Sequence, residues 1–176
     1  MRLEGEAWSR YFRDFHSSAF RLELHPVYTM PGEADELRRF LAGEKPPSGY
    51  HYGWLDTVAS AMAAGKTMRR VRVVTRPLTD YVRYEFEWGF VYNVHAGEDI
   101  RILDVTGGPS PGLPDHDFWL FDESAVVNLL YRPDGTQIGR ELVQDPDIAA
   151  YLRYRDAAWQ DAVPFRDYWA GFAPGV

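Results

Sequence analysis

Ala61–Val105, AMAAGKTMRRVRVVTRPLTDYVRYEFEWGFVYNVHAGEDIRILDV, decides the fold. It reads as the end of a helix, a strand, a second helix and a second strand, the unit that builds an open α/β sheet. In RVRVV, Val71 and Val73 point one way while Arg70, Arg72 and Val74 point the other. Pro77 breaks the chain, and Thr79 caps the next helix with Asp80 in its first turn. That helix runs to about Ala96 and stops at Gly97, and the next strand covers Ile100–Val105. Val71, Val73, Ile100 and Ile102 are therefore expected in the core, on neighbouring strands.

Upstream, within the N-terminal segment 1–19, Glu6–Phe15 reads as a helix whose Trp8, Tyr11, Phe12 and Phe15 form one stripe. Phe20–Leu24 alternates strictly, which reads as a strand with one wet face. Glu33–Ala42 is a short helix with Leu37, Phe40 and Leu41 inward and Gly43 just past its end. KPPSGYHYG, residues 45–53, is a loop whose Tyr-His-Tyr can line a site. Trp54–Ala64 is an amphipathic helix, with Leu55, Val58, Ala59 and Met62 on its inner face and Gly65 as its stop.

Downstream, residues 106–114 (TGGPSPGLP) form a second loop. Phe118–Phe121, Ala125–Tyr131 and Gly139–Val143 read as strands, the last two joined by the turn Arg132-Pro133-Asp134-Gly135. Asp145 caps a final helix with Pro146 at its first position. The aromatic tail, 164–176, packs on the body or on a partner. The expected architecture is one α/β domain over 1–176: a mixed sheet with helices on both faces and antiparallel hairpins at the C-terminal end.

Composition narrows the function classes. Aromatics make up 15% of the chain, enough for a bulky core or for an aromatic-lined pocket or interface. The surplus of rings points to a homodimer or a docked partner. No cysteine is present, so disulfides, thiolate metal sites and a cysteine nucleophile are excluded. A net charge of -7 opposes direct nucleic-acid binding, which draws most of its affinity from phosphate contacts. The basic cluster Lys66, Arg69, Arg70, Arg72 and Arg76 reads either as a phosphate patch or as a solvated helix end. No signal core or long apolar run appears, which gives a cytoplasmic expectation with no membrane contact. The five His residues show no ligand spacing, and no nucleotide or serine-hydrolase motif is present. Neither a cofactor nor a metal is expected.

Two constellations carry chemistry. His116 lies between Asp115 and Asp117 and near Asp122 and Glu123. It reads as a base or nucleophile oriented by a carboxylate, or as an exposed loop residue. In the helix from Asp80 to Trp88, Asp80–Arg83 and Arg83–Glu87 are spaced as ion pairs on a wet face. Glu85 falls on another side with Tyr81, Gly89 and Tyr92. Burial there would raise its pKa and suit acid–base work, unless it pairs with Arg72 or Arg76 of the preceding strand. The catalytic candidates are thus His116, Asp122 and Glu85, and the ligand-binding candidates are Arg72, Arg76, Asp80, Tyr81, Arg83 and Trp119. The pair Glu98-Asp99 precedes a strand at a turn, but the several oxygen ligands at recognisable spacing that a hard cation requires are absent from the sequence around it.

RVRVVTRPLTDYVRYEF, AGEDIRIL, DFWLFDESAVV and ELVQDPDIAAYLRYRDAAW, in that order, resemble an uncharacterised actinobacterial family of unknown function. Its members are often encoded beside helix-turn-helix regulators, so the resemblance implies a regulatory role and brings no catalytic residues. A fold-level resemblance is to one half of the phospholipase D superfamily, whose His-x-Lys-x-x-x-x-Asp motif opens a hairpin. His116 falls at the His of that motif, Phe118 at the Lys and Glu123 at the Asp, with Asp122 adjacent and Ser124 and Asn128 following. Two functions follow as expectations. One is a non-enzymatic regulatory or interaction module that binds a partner protein or a small ligand. The other is a diverged phosphodiesterase-like hydrolase using His116.

Overall fold

The computed structural model describes residues 1–108 and 112–172. Seven strands form one mixed sheet in the order β6-β5-β4-β1-β2-β3-β7. They are β1 Ser18–Glu23, β2 Thr67–Val74, β3 Asp99–Asp104, β4 Asp117–Phe121, β5 Ala125–Tyr131, β6 Gln137–Leu142 and β7 Val163–Pro164. β1, β2 and β3 run parallel; β4, β5, β6 and β7 pair antiparallel with their neighbours. The turn at Arg132–Gly135 closes as read, the Gly135 N–H donating to the Arg132 carbonyl at 2.9 Å. No helix among the described residues is long and apolar enough to cross a membrane.

Seven α-helices surround the sheet: α1 Gly5–Asp14, α2 Ala34–Leu41, α3 Gly53–Ala63, α4 Asp80–Glu85, α5 Val91–Ala96, α6 Ile148–Gln160 and α7 Phe165–Ala170. A π-turn, Phe86–Phe90, joins α4 to α5, so residues 80–96 form one continuous rod. One sheet face carries Phe20, Leu22, Val71, Val73, Phe118 and Leu120 under α6. The other carries Met68, Trp119 and Phe121 under α1 and α3, and Val74, Ile100 and Ile102 under the rod and α7. Val71, Val73, Ile100 and Ile102 are all buried on adjacent strands, as the alternation required. The Thr79 cap forms: its Oγ1 accepts the Val82 N–H at 3.1 Å.

The structure corrects several readings. β1 has no wet face, because it sits between β4 and β2 with helices over both sides, and Arg21 and Glu23 are buried. The N-terminal helix, Gly5–Asp14, lies within one residue of its reading at each end, and residue 18 already opens β1. Leu41 is 57% exposed at the end of α2, where Leu37 and Phe40 alone pack inward. On α3 Leu55, Val58 and Met62 face inward as read and Ala61 joins them, but Ala59 is exposed. Asp147, not Asp145, caps α6, its carboxylate accepting the Ala150 N–H at 3.0 Å. Asp145 instead adopts a positive φ of 48° in the preceding turn. Lys45 takes Glu87 at 2.9 Å, in place of the helical partner Arg83.

The surplus rings are largely absorbed inside the chain. Phe86 and Phe90 stack at 5.4 Å, and Phe165 and Trp169 of α7 meet Phe86 edge-on. The last tail residues, 173–176, and part of the second loop lie outside the described residues.

Gly135 offers a test of the turn. Its φ is +83°, and a Cβ there would sit 2.3 Å from the Val27 carbonyl oxygen. Gly43 has nearly the same φ, +82°, with nothing within 4 Å. Gly43→Ala should cost about 1 kcal/mol from φ strain alone, and Gly135→Ala clearly more, because backbone cannot move aside cheaply. Equal losses in urea denaturation would mean that the segment at Val27 yields.

Candidate functional site

The face under the rod holds a buried charge network. Strand register sets Arg21 beside Arg70 and Glu23 beside Arg72. Asp117 joins from β4, Glu98 from the α5–β3 turn and Glu85 from α4. Arg70 bridges Glu23 at 2.6 Å and Glu98 at 2.8 Å. Arg21 meets Asp117 at 2.9 Å and Glu23 at 3.5 Å, and Arg72 meets Glu85 at 2.8 Å. The Tyr28 hydroxyl and the Leu24 N–H also donate to Asp117, at 2.5 and 2.9 Å. Removing such charges from water costs several kcal/mol per ion unless each is paired.

The inventory is three guanidiniums against four carboxylates, Glu23, Glu85, Glu98 and Asp117. One proton would balance it, and Glu85 is the carboxyl that burial favours as its holder. Burial pushes Glu85 up to about 8; Arg72 opposes this and the like charge of Glu23 adds to it. Burial also works against Glu23, but Arg70, Arg21 and Arg72 outweigh it and hold Glu23 below the ordinary carboxylate range. Oε2 of Glu23 is buried and has no hydrogen-bond partner among the described residues.

Above this network opens a pocket of about 350 Å³, with Arg70 and Glu85 in its lining. Its walls are Tyr50, Tyr52, Trp54, Tyr81, Tyr84 and Trp88. Tyr81, Tyr84, Glu85 and Trp88 recur at i, i+3, i+4 and i+7 along the rod, one helical face. Past the π-turn, Gly89 and Asn93 also line the pocket, while Phe86 stays in the apolar core and Phe90 borders both. Tyr50 and Tyr84 both donate to Glu36, at 2.8 and 2.9 Å, and Tyr81 donates to Glu33 at 2.7 Å. Among the described residues no Lys or Arg pairs with Glu33 or Glu36. Burial raises the pKa of Glu33. The Trp88 indole N–H, itself buried, has no partner among the described residues.

Residues 6–170 match the model of a family described as a domain of unknown function, DUF6879. The chain belongs to that family. No curated protein matches it.

In this DUF6879 chain the sequence candidates divide. Arg72, Glu85 and Tyr81 come together, with the Arg72–Glu85 pair directly behind the pocket. His116 does not join them. It precedes β4, with Nδ1 3.0 Å from Asp115 and Nε2 3.3 Å from the Tyr151 hydroxyl, against α6 on the opposite face. Asp122 lies past the other end of β4, roughly 17 Å of strand away. There it accepts backbone N–H groups of His16, Ser17 and Ser18, at 2.8, 2.7 and 3.1 Å. Phe118, at the position of the superfamily's Lys, is fully buried under α6. Arg76 pairs at the surface with Asp104 at 2.8 Å, and Asp80 and Arg83 are exposed. Trp119 faces a separate groove beside Arg21.

The basic run is neither a patch nor a wet helix end. Arg70 and Arg72 enter the network, while Arg69, on the other face, stacks 5.3 Å from Trp159. Glu98 is 1% exposed and bonds Arg70 and the Trp54 indole. Glu33, Glu36 and Trp88 were not among the sequence candidates. The Tyr-His-Tyr loop was the available signal, and its Tyr50 and Tyr52 do line the pocket, while His51 turns out toward Asp56.

Proposed function

We propose that this protein is a non-enzymatic binding module, whose pocket takes the ammonium or guanidinium end of a small organic ligand. One observation carries the reading: Glu33 and Glu36 line an aromatic-walled pocket and pair with no Lys or Arg among the described residues, while the pocket's own cation, Arg70, is held by Glu23 and Glu98. Ring faces attract cations, and a carboxylate removed from water needs a positive partner. At roughly 30 Å³ per water-sized unit, the volume suits a ligand of on the order of ten heavy atoms. The family resemblance supplies a setting, with a helix-turn-helix transcription regulator as the partner that senses occupancy. The phosphodiesterase reading loses support, since His116, Asp122 and Glu85 sit in three places.

Calorimetry with choline and its uncharged isostere 3,3-dimethylbutanol tests the proposal. Choline should bind at least ten-fold tighter, and Glu36→Gln should remove most of that preference. Equal binding, or no ammonium binding at millimolar concentration, would overturn it. A cation entering beside Glu85 also favours the ionised carboxylate. Choline affinity should therefore rise with pH up to about 8 and level off above it, with proton release measurable from buffers of different ionisation heat.

A further inference from the structure

We infer a second site on the other side of Trp54 and Arg70, a groove built for a flat apolar body with an anionic head. It encloses about 880 Å³ beneath α1 and α3, and Trp54 and Arg70 line both it and the first pocket. Its charge has the opposite sign: five cationic side chains face it against one carboxylate, Asp56. Three of the five are already engaged. Arg13 pairs with Glu6, Lys66 donates to the Arg13 carbonyl at 3.1 Å, and Arg70 is held by Glu23 and Glu98.

Arg140 remains, together with one free end of Arg21, which is otherwise held by Asp117 and Glu23. Arg21 is 4% exposed; its Nη2 bonds Asp117, but its Nη1 has no partner among the described residues. Arg140, half-buried on β6, has neither an ion pair nor a side-chain hydrogen bond among the described residues, and its guanidinium lies 5.3 Å from the Trp8 ring. Burial depresses its pKa, with the like charge of Arg21 adding to it against the opposite pull of Tyr131 and Glu4. Two guanidiniums with free N–H groups on one groove are suited to an oxyanion, because their planar forks match carboxylate and phosphate oxygens. Around them Phe12 sets its edge against Trp54 at 5.2 Å and Trp119 at 5.0 Å, an aromatic bed for the ligand's body.

The test is calorimetry on the full chain with phenyl phosphate, benzoate and neutral benzyl alcohol. At least one anion should bind ten-fold or more tightly than the alcohol, with affinity falling as salt rises, and which anion binds identifies the head group. Arg140→Gln should weaken that anion at least ten-fold and Arg140→Lys should recover part of the loss, while choline binding stays unchanged. If Arg140→Gln does not fold, Trp8→Leu takes its place and should weaken the anion at least three-fold. Failure of both anions at millimolar concentration would overturn the inference. So would alcohol binding as tight as either anion, or anion affinity unchanged in a folded variant.

Discussion

Arg70→Met is expected to lower folding stability by about 3–5 kcal/mol, the usual cost of removing one partner from a buried ion pair. Arg72→Met should cost less, on the order of 2 kcal/mol for lost charge-assisted hydrogen bonds. Burial alone would reverse that order, since Arg72 is 0% exposed and Arg70 9%. The difference lies in what each substitution leaves behind. Arg70 holds Glu23 and Glu98 at short distance, and its loss strands two buried carboxylates. Arg72 touches Glu85, which already carries a proton near neutral pH, and stands 3.9 Å from Glu23. Removing it also removes Nη2, a buried donor with no partner among the described residues. Urea denaturation of both variants at pH 7 decides the matter. A larger loss for Arg72→Met would mean that Glu85 is ionised in the folded protein and that the one-proton balance is wrong.

The α/β frame was legible because its signals are local. RVRVV alternates, Thr79 caps, Gly97 ends the rod with φ 118°, and Arg132–Gly135 turns, each readable within a few residues. The network was not legible because its partners are distant in the chain. Arg21 meets Asp117 across 96 residues and Arg70 meets Glu23 across 47. Alternation in β1 says that its two sides differ, not that one is wet, so Arg21 and Glu23 looked solvated until β2, β4 and the rod closed over them. Glu85 does lie with Tyr81 and Gly89, since helical phase alone puts them on one side. His116 misled because its neighbouring acids are close in sequence, while an extended strand carries Asp122 to the far end of β4. Glu33 and Glu36 gave no signal at all, since it is the packing of α2 on α4 that brings them to the rings.

Folding stability should fall as pH rises from about 4.5 toward 8, and Glu85→Gln should remove that slope. In the unfolded chain Glu85 loses its proton near the ordinary glutamate value, 4.5; in the folded protein it keeps the proton to about 8. Between those values unfolding releases a proton, so rising pH favours the unfolded state. The contribution is fully present below 4.5 and is lost as pH passes through 8, at most about 5 kcal/mol at roughly 1.4 per unit. Glu33, also raised by burial, acts in the same direction. Glu23, Asp104 and Asp122 are held below their ordinary values and act the opposite way, at the acid end. Subtracting the Glu85→Gln curve from that of the unaltered protein cancels those groups. Glutamine mimics the protonated acid, so the two should agree in acid and diverge above it, with the variant the more stable at pH 8. Glu23→Gln supplies the control on cause: it deletes the like charge that helps raise Glu85, so the decline should shift to lower pH. A difference curve that is flat, or that rises with pH, would place the balancing proton elsewhere in the network.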